Sequence, residues 1–403
     1  MPDASPSGLS LSASNAPTFR DEVFHRAADM IRRAGGFTAQ QMATPEARAV
    51  IAETAGVLNQ AIGSSLSHEV PDALRYALEN NAFIFSGFKA YHSLREVGLS
   101  LTDSKGNIKP FEEFTKDVQA ISQAYNRNYL YAEYNHAVAA SQMAEKWQRW
   151  EQDGDRYDLQ YRTAQDDRVR EPHRLLHGTT LPPSDPFWER YLPPNGWNCR
   201  CTAVQVRKGK YPQSDPTLAM QRGDNSTASL AQQMFRYNPG KTLDLFPPKH
   251  PYYKAPKEVR PIVERQALDN TRHQAIHDMK TQHLPPYKER STRYYTGHIV
   301  CGNTDREWLI KHIEQPYMLP IALDINNILP TLSNGEWEDI VPSHWSNSKE
   351  GRHVIGYTKY ILYRTLRING IEVEKKLLLK CEVRKEKGRR PCEFPYSIRE
   401  TKE

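Results

Sequence analysis

Between Tyr161 and Gln205 the chain concentrates two proline pairs (Pro182-Pro183 and Pro193-Pro194), the run Asp185-Pro186-Phe187-Trp188, a Gly196-Trp197 step and a Cys199-Arg200-Cys201 triplet. Proline fixes its own φ and disfavours helix in the residue before it, so no long helix can pass through this stretch. The flanks, YDLQYRTA from Tyr157 and CTAVQVRK from Cys201, alternate as strands do. The segment therefore reads as a small α+β module, two strands around a structured loop. Prolines and large rings leave such a loop little entropy to lose on ordering. That stiffness suits a docking knob better than a reaction centre.

The same stretch holds residues with ligand chemistry. His173 and His177 are four apart, which a helical turn would place on one face. Cys199 and Cys201 flank Arg200, and two thiolates with one or two imidazoles satisfy a tetrahedral zinc site by type. Asp166, Asp167 or water could complete it. The competing reading makes His173 a locally bonded residue and the cysteines small buried ones. A small proline-rich module has little core of its own and benefits from a staple. Asp166, Asp167, Arg168 and Arg170 form either a phosphate-binding or catalytic set or, more simply, a salt-bridged turn. Cys199 with His173 has the residue types of a cysteine hydrolase, but no oxyanion-hole signature accompanies it.

Taken together, Tyr161–Val206 resembles the signature of the phage Mu protein F-like minor head proteins, the phage head morphogenesis domain. The likeness runs from the N-terminal helices to about Tyr253, where an aromatic-Asn-Pro-Gly segment (Tyr237–Gly240) precedes a His-Pro-Tyr-Tyr end (His250–Tyr253). Its matched ligand positions are His173, Cys199 and Cys201; His177 is outside the pattern. The resemblance implies a minor capsid protein of a tailed phage or prophage. It would be associated with the portal and other head proteins, act in head morphogenesis and DNA packaging or delivery, and not be an enzyme by that domain. It would be made in the host cytoplasm and end in the virion, in the head interior or at the portal vertex.

The rest of the chain gives a multidomain α+β reading. Residues 1–17 are Ser/Pro/Ala-rich and read as a disordered tail, without the charged start and apolar core of a secretory signal. Residues 18–155 read as a helical arm. Its first stripe is Phe19, Val23, Ala27, Met30 and Ile31, stopped by Gly35-Gly36; a second helix is capped by Thr44 with Pro45 in its first turn. A third run from Val70 carries a possible break at Ser86-Gly87. One or two long helices follow, with Leu130, Tyr134 and Val138 on one stripe. Residues 156–253 form the signature module and 254–292 a charged, partly helical linker. No apolar run approaches the roughly 20 residues of a membrane span. The five cysteines are too few and too oddly spaced for a disulfide framework, which fits synthesis in a reducing compartment.

Residues 293–403 read as a basic α+β domain. From Val341 to Glu403 there are 15 Lys and Arg against 8 Asp and Glu, a net of +7 where the whole chain carries +6. Such a module suits a polyanionic partner, DNA or RNA, although a solvated charged surface would look the same. Asn369-Gly370 between two β-rich runs predicts a long antiparallel hairpin. The size, the basicity and the helix-then-strands order resemble the small nucleases of the barnase–EndoU–colicin–RelE class. That resemblance implies metal-independent RNA cleavage by a His, Lys or Tyr acid or base beside a phosphate clamp. His344, His353, Tyr357, Lys359, Arg364 and Tyr396 are the candidate reacting groups, with His353, Tyr357 and Lys359 on one strand face. Lys380, Arg389 and Arg390 are the candidate nucleic-acid contacts. An ADP-ribosyltransferase would use a pair such as Glu372 and Glu374, but lacks its companion Ser/Thr strand here.

Overall fold

A computed structural model describes residues 18–281, 290–291, 298–329, 332, 336–338, 354–368, 371–385 and 390–401. The chain divides into two compact units, residues 1–267 and 268–403.

The first unit begins with the helical arm: α1 (Asp21–Ala34), α2 (Pro45–Ser65), α3 (Asp72–Ser100), α4 (Phe111–Ser122) and α5 (Leu130–Asp153). The expected punctuation is present. Gly35 takes a left-handed conformation at φ 72° and closes α1 with bonds back to Arg32 and Ile31. The Thr44 hydroxyl accepts from the Ala47 amide ahead of Pro45. The break expected at Ser86-Gly87 does not occur, and α3 runs through it unbroken. The glycine serves close packing instead: a Cβ on Gly87 would lie 2.5 Å from a Val263 methyl. Between α4 and α5 the helix widens into a π turn, Gln123–Tyr129, so the two helices are continuous but offset. Leu130 and Val138 are buried in the arm's core as their spacing predicts, with Tyr134 packed at its edge.

The signature module follows. Strands β1 (Tyr157–Arg162), β2 (Thr180–Leu181) and β3 (Thr202–Arg207) form an antiparallel sheet in the order β2-β1-β3, with Leu159 opposite both Leu181 and Gln205. The loop from β1 to β3 carries two short helices, α6 (Glu171–Arg174) and α7 (Phe187–Tyr191). After β3 come α8 (Pro216–Ser226), α9 (Leu230–Gln233) and α10 (Pro239–Thr242). A longer helix, α11 (Val259–Thr281), occupies most of the segment read as a linker, and its Val259, Val263 and Ala267 belong to the arm's core.

The proline–tryptophan loop is not a projecting knob. Phe187, Trp188 and Tyr191 are fully buried and form the module's own core with Leu159, Tyr161, Leu176 and the α5 residues Met143, Trp147 and Trp150. A three-stranded sheet offers too little apolar surface to close a core, so the loop's rings turn inward to supply it. Trp188 donates its indole N–H to the Leu181 carbonyl at 3.3 Å, which satisfies its buried polar atom.

In the second unit six strands lie in the order β4-β5-β9-β8-β7-β6: β4 (Arg290–Ser291), β5 (His298–Ile299), β6 (Glu336–Glu338), β7 (Val354–Ile368), β8 (Ile371–Arg384) and β9 (Cys392–Glu400). The predicted hairpin is present as the antiparallel β7–β8 pair, running from Val354↔Arg384 to Ile368↔Ile371; Asn369-Gly370 lies outside the described residues. Helix α12 (Asn303–His312) starts after Gly302, whose amide donates to the Asp305 carboxylate at 3.0 Å. One sheet face is buried through Thr358, Tyr360, Leu362, Leu377, Leu379, Cys381 and Val383. The chain is thus a multidomain α+β protein with a helical N-terminal region.

Candidate functional sites

Helix α6 is a single turn, and it directs His173 into the module's interior, 2% exposed. Cys199 and Cys201 lie on the extended approach to β3, where side chains alternate. Both thiols point inward and Arg200 between them points out. Each sulfur lies 3.7 Å from His173 Nδ1, and the three ligand atoms fall within 4.8 Å of one another. The hydrogen bond from Cys201, then His173, holds the Cys199 thiol well below its ordinary value, against the opposing effect of burial. The same bond, reinforced by burial, pushes Cys201 far up. The Tyr161 hydroxyl lies against Cys201 and donates to Asn195 Oδ1 at 2.9 Å.

The neighbouring candidates are placed elsewhere. His177 is exposed and accepts from the Thr163 amide at 3.1 Å, because α6 ends before it can share a face with His173. Asp166 is held by both Arg200 guanidinium nitrogens, which lower its carboxyl to about 2. It also caps the Arg168 amide at 3.0 Å. Arg170 bonds the Trp197 carbonyl and Arg174 the Asp166 carbonyl. The acidic-basic run is therefore a salt-bridged turn that frames the loop. Asp166 is committed to Arg200, and among the described residues the ligand cluster contains His173, Cys199 and Cys201 alone.

In the second unit Tyr357 and Lys359 share one face of β7, as expected, and Lys359 stands directly opposite Lys380 on β8. The Lys380 ammonium lies 4.2 Å over the Tyr357 ring, and Tyr396 of β9 comes within 6.1 Å of the same ring. Arg364 falls on the opposite face by strand parity, so it does not join them. Arg390 is exposed, and His344, His353 and Arg389 lie outside the described residues.

Two residues not anticipated from the sequence complete this surface. Trp308 and His312, one turn apart on α12, stack on each other at 4.3 Å. They also stack against Tyr396, at 5.9 and 6.4 Å with interplanar angles of 29° and 23°. Trp308 remains 42% exposed. The i, i+4 spacing of Trp308 and His312 was legible; their meeting with a residue on the last strand was not.

The fold and these sites define a multidomain α+β protein with a buried His/Cys cluster, and sequence comparison shows what part of it is similar to. Residues 103–204, from α4 through the His/Cys cluster to β3, match the family model Phage Mu protein F like protein. Over 167 residues the chain is 29% identical to the Mu-like prophage FluMu F protein of Haemophilus influenzae, covering 40% of this chain and 39% of that protein. Over 103 residues it is 33% identical to the putative capsid assembly protein F of Escherichia phage Mu, covering 25% and 21% respectively. The chain thus spans well under half the length of these relatives. No solved structure matches it. Among the described residues, no helix is long and apolar enough to cross a membrane.

Proposed function

We propose that this chain is a minor head protein acting in the head morphogenesis of a tailed phage or prophage, in contact with the portal and other head proteins and through them with DNA packaging or delivery. The observation that carries this is the match of residues 103–204 to the phage Mu F family, since it includes the buried signature core and its His/Cys cluster. The helical arm adds surface suited to protein partners: Leu99, Ile108 and Phe111, at the α3–α4 end, are 63%, 63% and 59% exposed. The test is co-expression with the portal and major head proteins of the same phage, followed by affinity capture. Co-purification at fixed stoichiometry is expected; a chain that elutes alone while the other proteins still assemble rejects the role.

A second activity, carried by the C-terminal unit, is nucleic-acid binding. The observation favouring it is the Trp308–His312–Tyr396–Tyr357 ring surface with Lys380 and Lys359 beside it. Stacking rings next to cations suit unpaired bases and their phosphates, in RNA or single-stranded DNA. Whether this surface also cleaves RNA, as the nuclease-class likeness implies, is read from the same assay. Full-length protein is incubated with labelled RNA with and without EDTA, and both retention and chain length are scored.

A further inference from the structure

We infer that His173, Cys199 and Cys201 bind a zinc ion that staples the β1–β3 loop to the start of β3. This stands on the cluster's geometry, independently of the role in head assembly.

The metric fits. Ligand atoms held at about 2.0–2.1 Å (imidazole nitrogen) and about 2.3 Å (thiolate) on a tetrahedral ion lie roughly 3.5 Å apart. Each cysteine sulfur here is 3.7 Å from the same imidazole nitrogen, Nδ1 of His173. Both S–N separations are thus close to those of a tetrahedral site, and all three ligand atoms lie within 4.8 Å of one another. Zinc suits two thiolates and an imidazole by softness, and a reducing compartment would keep the thiols available.

A second observation points the same way. His173 is 2% exposed, yet its Nε2 has no hydrogen-bond partner, and its Nδ1 meets only the two sulfurs. A buried imidazole kept for packing alone would be expected to bond a carbonyl, a carboxylate or water through at least one nitrogen. Sulfur is a weak partner for it. A cation between the three groups gives Nδ1 one strong partner in place of two weak ones, while Nε2 still lacks one. Around them Tyr161, bonded to Asn195, which in turn donates to the Leu192 carbonyl at 3.2 Å, fixes the wall on the Cys201 side. Three protein ligands leave one position on the ion for water or a donor from a partner protein.

The location gives the ion a purpose. Residue 173 lies early in the loop between β1 and β3, and residues 199 and 201 lie at its end. One ion cross-links the two ends of the loop, and binding free energy becomes folding free energy for the module.

The experiment uses the full-length chain purified from reducing cells without chelator or affinity metal. Elemental analysis should find one zinc per chain. Exchange with Co²⁺ should give an intense thiolate-to-cobalt charge-transfer band and visible absorption of tetrahedral strength. Cys199→Ser and His173→Asn, each tested for folding by circular dichroism, should lose at least tenfold in zinc retention against a competing chromogenic chelator. Wild-type protein free of zinc that also shows no cobalt–thiolate band overturns the inference, as does a folded C199S or H173N chain retaining full stoichiometry. A Cys199–Cys201 disulfide in freshly isolated protein overturns it too. Because the cobalt spectrum is read on the wild type, the test survives a failure of the variants to fold.

Discussion

Gly240 stands against Trp147 so closely that a Cβ on the glycine would lie 2.2 Å from the tryptophan Cβ. This contact joins α10 to α5, ninety-odd residues earlier, and explains why the Asn-Pro-Gly segment is built as it is. Asn238 caps the short helix by accepting from the Gly240 and Lys241 amides, and its own amide donates to the Trp188 carbonyl at 3.1 Å. Gly240→Ala is therefore expected to destabilise the first unit by about 1–3 kcal/mol, the usual cost of overpacking a rigid contact. Urea denaturation monitored by tryptophan fluorescence measures it. A midpoint unchanged from wild type would mean that the contact is looser than described.

Lys89 and Glu133 form an ion pair inside the helical arm, 1% and 3% exposed. Burial drives the lysine pKa down and the glutamate pKa up, while each partner's charge opposes that shift. Removing one partner strands the other, so Glu133→Leu or Lys89→Met should each cost about 3–5 kcal/mol. The double change Lys89→Met/Glu133→Leu should recover most of that loss. A double-mutant cycle by chemical denaturation decides it, and simple additivity of the two single losses would contradict the prediction.

The arm should lose stability in mild acid. Burial, then the neighbouring His250, depresses His136 to about 3; burial, then Lys89 and His92, depresses His250 to about 4. His136 Nε2 bonds the Tyr237 hydroxyl at 3.0 Å, and that hydroxyl donates to the Leu245 carbonyl, which assigns the ring proton to Nε2. Both imidazoles are neutral in the folded state, whereas the unfolded chain takes up protons near pH 6.5. Stability from them is present in full above about pH 6.5 and declines as pH falls toward 4. The loss is roughly 1.5–2 kcal/mol per imidazole by pH 5. His136→Gln should flatten the pH 5–7 limb of a denaturation profile, at some cost in stability at neutral pH.

If the ring surface of the second unit binds nucleic acid, Trp308→Ala and Tyr396→Ala should each weaken binding of a short single-stranded RNA or DNA by about 1–3 kcal/mol, the usual worth of one stacked base. Lys380→Ala should instead shallow the salt dependence of binding by roughly one unit of log–log slope. Fluorescence anisotropy over a salt series separates the two effects. Equal affinities for all three variants and wild type would place the nucleic-acid contact elsewhere or nowhere.

Local rules carried much of this structure. Apolar periodicity, Thr44 with Pro45, and Gly35 set the first helices, because caps and stripes are written within a few residues of where they act. β-rich runs on either side of Asn369-Gly370 set the β7–β8 register, and alternation put Tyr357 with Lys359. Residue type offered Cys199 and Cys201 with His173 or His177, and only the family resemblance singled out His173. What no local pattern contained was which surfaces would meet. Whether Phe187 and Trp188 would project or fold inward depended on how little core the three-stranded sheet could supply. Whether Gly87 would break a helix or seat Val263 depended on α11, far along the chain. The stacking of Trp308 and His312 on Tyr396 joins positions more than eighty residues apart. Elements form from short-range backbone preferences, but burial is shared out by the whole fold, and only that sharing decides which side chains become core, ligand or surface.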